Sequence, residues 1–127
     1  MPILAIGTDI AEIERFHETR ISARFLHSVF TPTELAYCMG RARPEQHLAV
    51  RFAAKEAAAK ALGAATGFVS VFQIEVVRLN HGAPVLRLIG GRHGEPAPEL
   101  PPGARLHVSL SHSDRYAVAT VILEGSE

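Results

Sequence analysis

An α+β fold is predicted from three features: a short apolar run near the N-terminus, an alanine-rich central segment of helical composition, and two late pairs of alternating, turn-joined stretches. Ile3 to Thr8 reads as a buried strand, apolar on both faces and ending at Asp9. Asp9-Ile10-Ala11-Glu12 has the form of a capping box opening a helix, with Ile10, Ile13 and Phe16 at helical spacing. Asp9 is thus either an N-cap or, at the C-terminal end of a strand, a ligand-facing carboxylate. Beyond it, Arg15, Arg20 and Arg24 interleave with Ile21 and Phe25, while Glu12, Glu14 and Glu18 cancel their charge. That pattern is either a solvated helix face or a docking surface for an acidic helix. Thr31-Pro32-Thr33-Glu34 is a clearer signal: an N-cap, a proline at the first helical position and a glutamate closing the box, with the helix ending near Gly40.

Arg41 and Arg43 fall on the next loop, and Pro44 opens the long central helix, which is expected to reach Leu62 and stop at Gly63. A loop follows from Gly63 to Ser70. Gln73 to Leu79 and Pro84 to Ile89 form a hairpin around Asn80-His81-Gly82-Ala83. Gly90 to Gly103, with four prolines and four glycines, is expected to be irregular. Arg105 to Leu110 and Tyr116 to Leu123 pair through Ser111-His112-Ser113-Asp114-Arg115.

The 127 residues fit one domain, 1–127, with 47% apolar and 20% charged residues, an ordinary globular mixture. Formal net charge is zero, which argues against a general nucleic-acid or membrane-surface binder. No apolar run approaches the roughly 20 residues of a spanning helix, and no secretory signal is expected. Cys38 stands alone, which excludes an internal disulfide and fits a reducing cytoplasm. The seven histidines show no metal-ligand spacing, and neither a phosphate-binding P-loop nor a dinucleotide fingerprint is present.

The central segment, Arg51-Phe52-Ala53-Ala54-Lys55-Glu56-Ala57-Ala58-Ala59-Lys60-Ala61-Leu62-Gly63, carries the chemistry. Its apolar composition predicts a buried helix whose four charges need partners. Lys55 and Lys60 are the only lysines of the chain, and an ammonium suits a phosphate as a point charge. Between Arg41 and Lys60 five basic residues face two acidic ones, a local excess suited to a multiply phosphorylated small molecule. The plainer reading of Glu56 and Lys60 is an i,i+4 ion pair. For His112, it is a polar turn residue.

Gly7-Thr8-Asp9-Ile10, the Arg51-to-Lys60 run, Ser111-His112-Ser113 and Phe30-Thr31-Pro32-Thr33-Glu34 occur here in the order and spacing of one family. From Ile6 to Leu123 the chain resembles the holo-(acyl-carrier-protein) synthases, small bacterial 4′-phosphopantetheinyl transferases. The resemblance implies their fold, and a magnesium-dependent transfer of phosphopantetheine from coenzyme A to a serine of apo acyl carrier protein, releasing adenosine 3′,5′-bisphosphate for fatty acid biosynthesis. It implies Asp9 and Glu56 as magnesium ligands, with Lys60 beside the pyrophosphate as the third catalytic residue. Glu56, or a water on the metal, would receive the serine proton. Arg43, Arg51 and His112, with Lys60, would contact coenzyme A phosphates, and Gly63 would line the bound coenzyme. Arg15, Arg24 and Phe25 match the carrier-docking helix. A homotrimer is implied, with sites between subunits, so that Asp9 and the central helix would come from different chains. The chain departs from the family at Gly90 to Gly103, where a helix is common. The alternatives are a non-catalytic module of the same fold that binds coenzyme A or an acidic partner, and a phosphohydrolase using the same metal.

Overall fold

The computed structural model describes residues 2–78 and 82–126. Its elements run in the order strand, helices, then two strand pairs, as expected for α+β. The first strand, β1 (Ile3–Glu12), leads into a 3₁₀ turn at Ile13–Phe16. Three helices follow: α1 (Ala23–Val29), α2 (Pro32–Met39) and α3 (Pro44–Thr66). A second 3₁₀ turn, Val71–Gln73, precedes the hairpin of β2 (Ile74–Arg78) and β3 (Pro84–Leu88). The last pair is β4 (Arg105–His112) and β5 (Tyr116–Glu124). The strands form two antiparallel sheets, β1-β5-β4 and β2-β3. Leu79, Asn80 and His81, which belong to the expected hairpin end and turn, lie outside the described residues. Residues 90–103 contain neither helix nor strand.

Two N-terminal expectations are corrected. Asp9 neither ends a strand nor caps a helix, because β1 continues to Glu12 and pairs with β5 throughout, Asp9 opposite Ala119 and Glu12 opposite Tyr116. The ladder takes the backbone groups that a capping box would have used. Nor is β1 buried on both faces: Ile6 and Ile10 are each 64% exposed, while Gly7 and Ala11 are buried. Among the described residues the inner face packs against α3.

The helix signals hold better where they are local. At α2, Thr31 accepts from Glu34 N (3.2 Å) and Glu34 accepts from Thr31 N (2.9 Å), closing the box. At α3, Gly63 does not stop the helix: Ala64 and Ala65 are strong helix formers, and the cap falls at Gly67, whose φ of +97° suits glycine.

Small side chains set how closely α3 lies on the sheet. Ala53, Ala54, Ala57, Ala58 and Ala61 are completely buried. A Cβ on Gly7 would sit 1.9 Å from Ala57 O, so β1 and α3 meet backbone to backbone there. Asp9 lies two residues on, on the same inward face.

Buried charge locks α3 to the helices before it. Lys55 is fully buried and donates to Glu34 at 2.6 Å; Glu34 also accepts from Val76 N at 2.8 Å. Glu75, nearby, accepts from Thr31 Oγ1 and from Arg87, both at 2.6 Å. The pair joins α2, α3 and β2 and fixes the rotation of α3 about its axis. Burial holds the Lys55 ammonium below its usual range, and Glu34 partly offsets that.

Candidate functional site

Asp9, Glu56 and Lys60 converge where β1 crosses α3. Lys60 Nζ donates to Asp9 Oδ1 at 3.1 Å and to Thr8 O at 2.9 Å. The expected Glu56–Lys60 ion pair does not form, because β1 offers Lys60 a carboxylate and a carbonyl at once. Glu56, one turn earlier on α3, is left without that counter-ion. Its carboxyl is pushed above the usual range, first by burial and then by the charge of Asp9, with Lys60 pulling the other way. Asp9 and the central helix therefore come together within a single chain, contrary to the expectation that they belong to different ones.

The donor set limits what ion this corner can hold. Among the described residues no group of three or more His, Cys, Asp or Glu is placed for a metal. Two carboxylates fit magnesium, which completes its shell with phosphate oxygens and water.

A second charged centre lies at the other edge of the sheet. Arg51, His112, Gln46, His47 and Arg78 line a cavity of about 140 Å³ between α3, β2 and β4. Gln46 Nε2 donates to His112 Nε2 at 3.2 Å, which leaves His112 Nδ1–H facing Ser113 O at 3.4 Å. Arg51 is buried, and its guanidinium carbon lies 4.2 Å from the centre of the Tyr37 ring. Burial, and after it the like charges of Arg51, Arg41 and Arg78, holds His47 below its ordinary range. The sequence reading missed Tyr37, His47 and Arg78. A cluster gathered from α2, α3 and β2 leaves no spacing signal.

The other predicted positions scatter. Arg43 is exposed just before α3 and does not line the cavity. Gly63 is half-buried on α3 with open space where a Cβ would be. Arg15 and Phe25 share a shallow cleft with Arg20, Ile21 and Ser22, whereas Arg24 is exposed outside it. Phe25 also packs on Phe16 and Phe52, with ring centres 6.4 and 6.0 Å apart. It is therefore as much a core residue as a surface one. A cleft of about 640 Å³ lies beyond the end of α3, between Phe68, Phe72 and the proline-rich segment. None of Asp9, Arg43, Arg51, Glu56, Lys60, Gly63 or His112 lines it. The converging charges, by contrast, can position and neutralise an anionic group.

Comparison with known proteins shows the family. Residues 5–121 match the model of the 4′-phosphopantetheinyl transferase superfamily. A holo-(acyl-carrier-protein) synthase of Methylobacterium radiotolerans is 50% identical over 129 residues, covering 96% of this chain and 93% of that protein. One from Koribacter versatilis is 42% identical over 125 residues, covering 96% and 98%. Among solved structures, the holo-(acyl-carrier-protein) synthase of Bacillus anthracis, in complex with CoA (3′,5′-ADP), superposes with a TM-score of 0.75 at 35% identity, covering 98% of each chain.

Proposed function

The chain belongs to the 4′-phosphopantetheinyl transferase superfamily, and from that premise we propose that Asp9, Glu56 and Lys60 form its catalytic centre within one transferase domain spanning 1–127. The reaction is that of a holo-(acyl-carrier-protein) synthase: the 4′-phosphopantetheine group of coenzyme A passes to a serine of apo acyl carrier protein, giving adenosine 3′,5′-bisphosphate. The observation that carries the residue assignment is the meeting of Asp9 with Lys60 at 3.1 Å, beside a Glu56 whose carboxyl responds to the charge of Asp9.

Asp9 and Glu56 would hold magnesium, which supplies neutralising charge to the pyrophosphate when bound. Lys60, about half exposed, reaches the leaving phosphate and stabilises its charge. Glu56 is assigned the serine proton as the hydroxyl attacks phosphorus and the bond to adenosine 3′,5′-bisphosphate breaks; its raised pKa suits that task. Arg51 and His112 take another phosphate of coenzyme A in their cavity, and Arg43 and Gly63 border its path. Arg15, Arg24 and Phe25 receive the acidic carrier.

The two charged centres sit on opposite sides of α3: Arg51 and Glu56, five positions apart, differ by about 140° around its axis. Asp9 is on the edge strand β1 and His112 on the other edge strand, β4. A site shared between subunits of a homotrimer brings the arginine cavity of one chain to the carboxylates of the next. The uncovered outer face of the sheet, with Ile6, Ile10, Tyr116 and Val118 exposed, supports such an assembly. Among the described residues no helix is long and apolar enough to cross a membrane. A cytoplasmic location goes with this reading.

The test is to weigh an apo carrier protein by mass spectrometry after incubation with coenzyme A and magnesium, using the wild type and Glu56→Gln. The wild type is expected to add phosphopantetheine, and the variant to lose about 10³-fold in rate. Unchanged turnover in Glu56→Gln removes the assignment. Binding of adenosine 3′,5′-bisphosphate that is indifferent to magnesium favours the non-catalytic module, and consumption of coenzyme A without carrier favours hydrolysis.

A further inference from the structure

Tyr37 is surrounded by cations. The guanidinium carbons of Arg41, Arg51 and Arg78 lie 4.3, 4.2 and 5.6 Å from the centre of its ring, and His47 meets it edge-on at 5.8 Å. These groups come from the loop after α2, from α3 and from the end of β2. Among the described residues, none of the three arginines has a carboxylate within salt-bridge distance. Arg51 is only 4% exposed, yet its Nε has no hydrogen-bond partner, and its one contact, from Nη1 to His47 O, is 3.5 Å long.

Three unpaired cations repel one another, and a buried guanidinium with unspent donors is costly. The negative faces of the aromatic ring are the compensating attraction on the page. Stacking uses the face of a guanidinium and spares its in-plane N–H groups, the ones that grip a phosphate as a fork. The cavity bounded by Arg51, Arg78, His47 and His112 opens beside this cluster. Coenzyme A carries two kinds of phosphate. The family resemblance already points the arginines at the dianionic 3′-phosphomonoester; Arg51 and Arg78 line the cavity, and Arg41 stands beside it on the Tyr37 ring.

We propose that Tyr37 is a positioning residue: its ring holds Arg41, Arg51 and Arg78 with their donors free, so that the cavity takes the 3′-phosphate of coenzyme A and discriminates against the 3′-dephospho form. The proposal rests on the reading of the chain as a coenzyme A transferase.

The test compares the wild type, Tyr37→Phe and Tyr37→Leu, measuring kcat and KM with coenzyme A and with 3′-dephospho-coenzyme A. Binding of adenosine 3′,5′-bisphosphate and of adenosine 5′-monophosphate is followed by calorimetry. Tyr37→Leu is expected to raise KM for coenzyme A about tenfold, with kcat and the KM for the dephospho substrate within about twofold of wild type. Tyr37→Phe keeps the ring and is expected to track the wild type. Equal losses on both substrates, a fall in kcat at constant KM, or a Phe variant as impaired as the Leu variant each overturn the proposal. If Tyr37→Leu does not fold by circular dichroism, the exposed Arg41→Gln carries the test with the same selective rise in KM, and its absence is decisive against. Should the wild type transfer nothing, the transferase reading fails, while the paired calorimetric titrations still decide whether Tyr37 acts through the 3′-phosphate.

Discussion

Glu56 sits where its own charge is opposed. Burial and Asp9 raise its pKa in the folded state, so the folded protein binds that proton more tightly than the unfolded chain does. The stability this contributes is present at low pH and is lost as pH rises through the raised pKa. At neutral pH an ionised Glu56 is therefore a cost, and Glu56→Gln is expected to melt no earlier than the wild type while losing transfer. An earlier melt in differential scanning calorimetry contradicts this. Cys38 behaves the same way at higher pH. It is fully buried, and burial pushes its thiol up to about 11, outweighing the lowering effect of Arg51. Its share of stability is complete below the thiol's unfolded pKa and disappears as pH climbs through about 11, a loss on the order of 2–3 kcal/mol. Native protein at pH 8 is expected to resist iodoacetamide, with Cys38 alkylated only after unfolding in urea; rapid labelling of the folded chain refutes this.

Among the elements, β1 and α3 together make the corner proposed for catalysis, and glycine decides their spacing. With Ala57 O only 1.9 Å from the position of a Cβ on Gly7, Gly7→Ala must push strand and helix apart. That overpacking is expected to cost about 2–3 kcal/mol, read from the urea midpoint, and to lengthen the Asp9–Lys60 contact enough to slow transfer. An unchanged midpoint means the helix yields without strain. The other elements show which signals are local. The α2 box was legible because Thr31, Pro32 and Glu34 satisfy one another across three residues. Asp9-Ile10-Ala11-Glu12 carried a similar pattern and formed a strand, since pairing with β5 satisfies the backbone along its whole length. Gly63 read as a stop, but a stop needs a residue that leaves the helical conformation, and that residue is Gly67.

For the whole molecule, the outer face of the β1-β5-β4 sheet, with Ile6, Ile10, Tyr116 and Val118 exposed, is the surface on which the proposed assembly rests. On the proposed homotrimer, Ile10→Asp on that face is expected to yield a folded monomer by sedimentation and to abolish transfer, because the proposed shared site needs two chains. An active monomer refutes the shared site. The same face explains why β1 looked doubly buried in the sequence. Ile6 and Ile10 are apolar as if covered, yet each is 64% exposed among the described residues.

The sequence alone determined the element order, the α2 cap, the start of the central helix, the two late strand pairs and the residue types at the proposed centre. These depend on composition, short spacing and motif. Tertiary structure alone decided which charge meets which. Lys55 found Glu34, Lys60 found Asp9 rather than Glu56, and Arg51 found Tyr37. Each partner lies at least fourteen residues away along the chain, and only packing of α3 against β1 and α2 puts them within reach, so no local pattern could record the pairing.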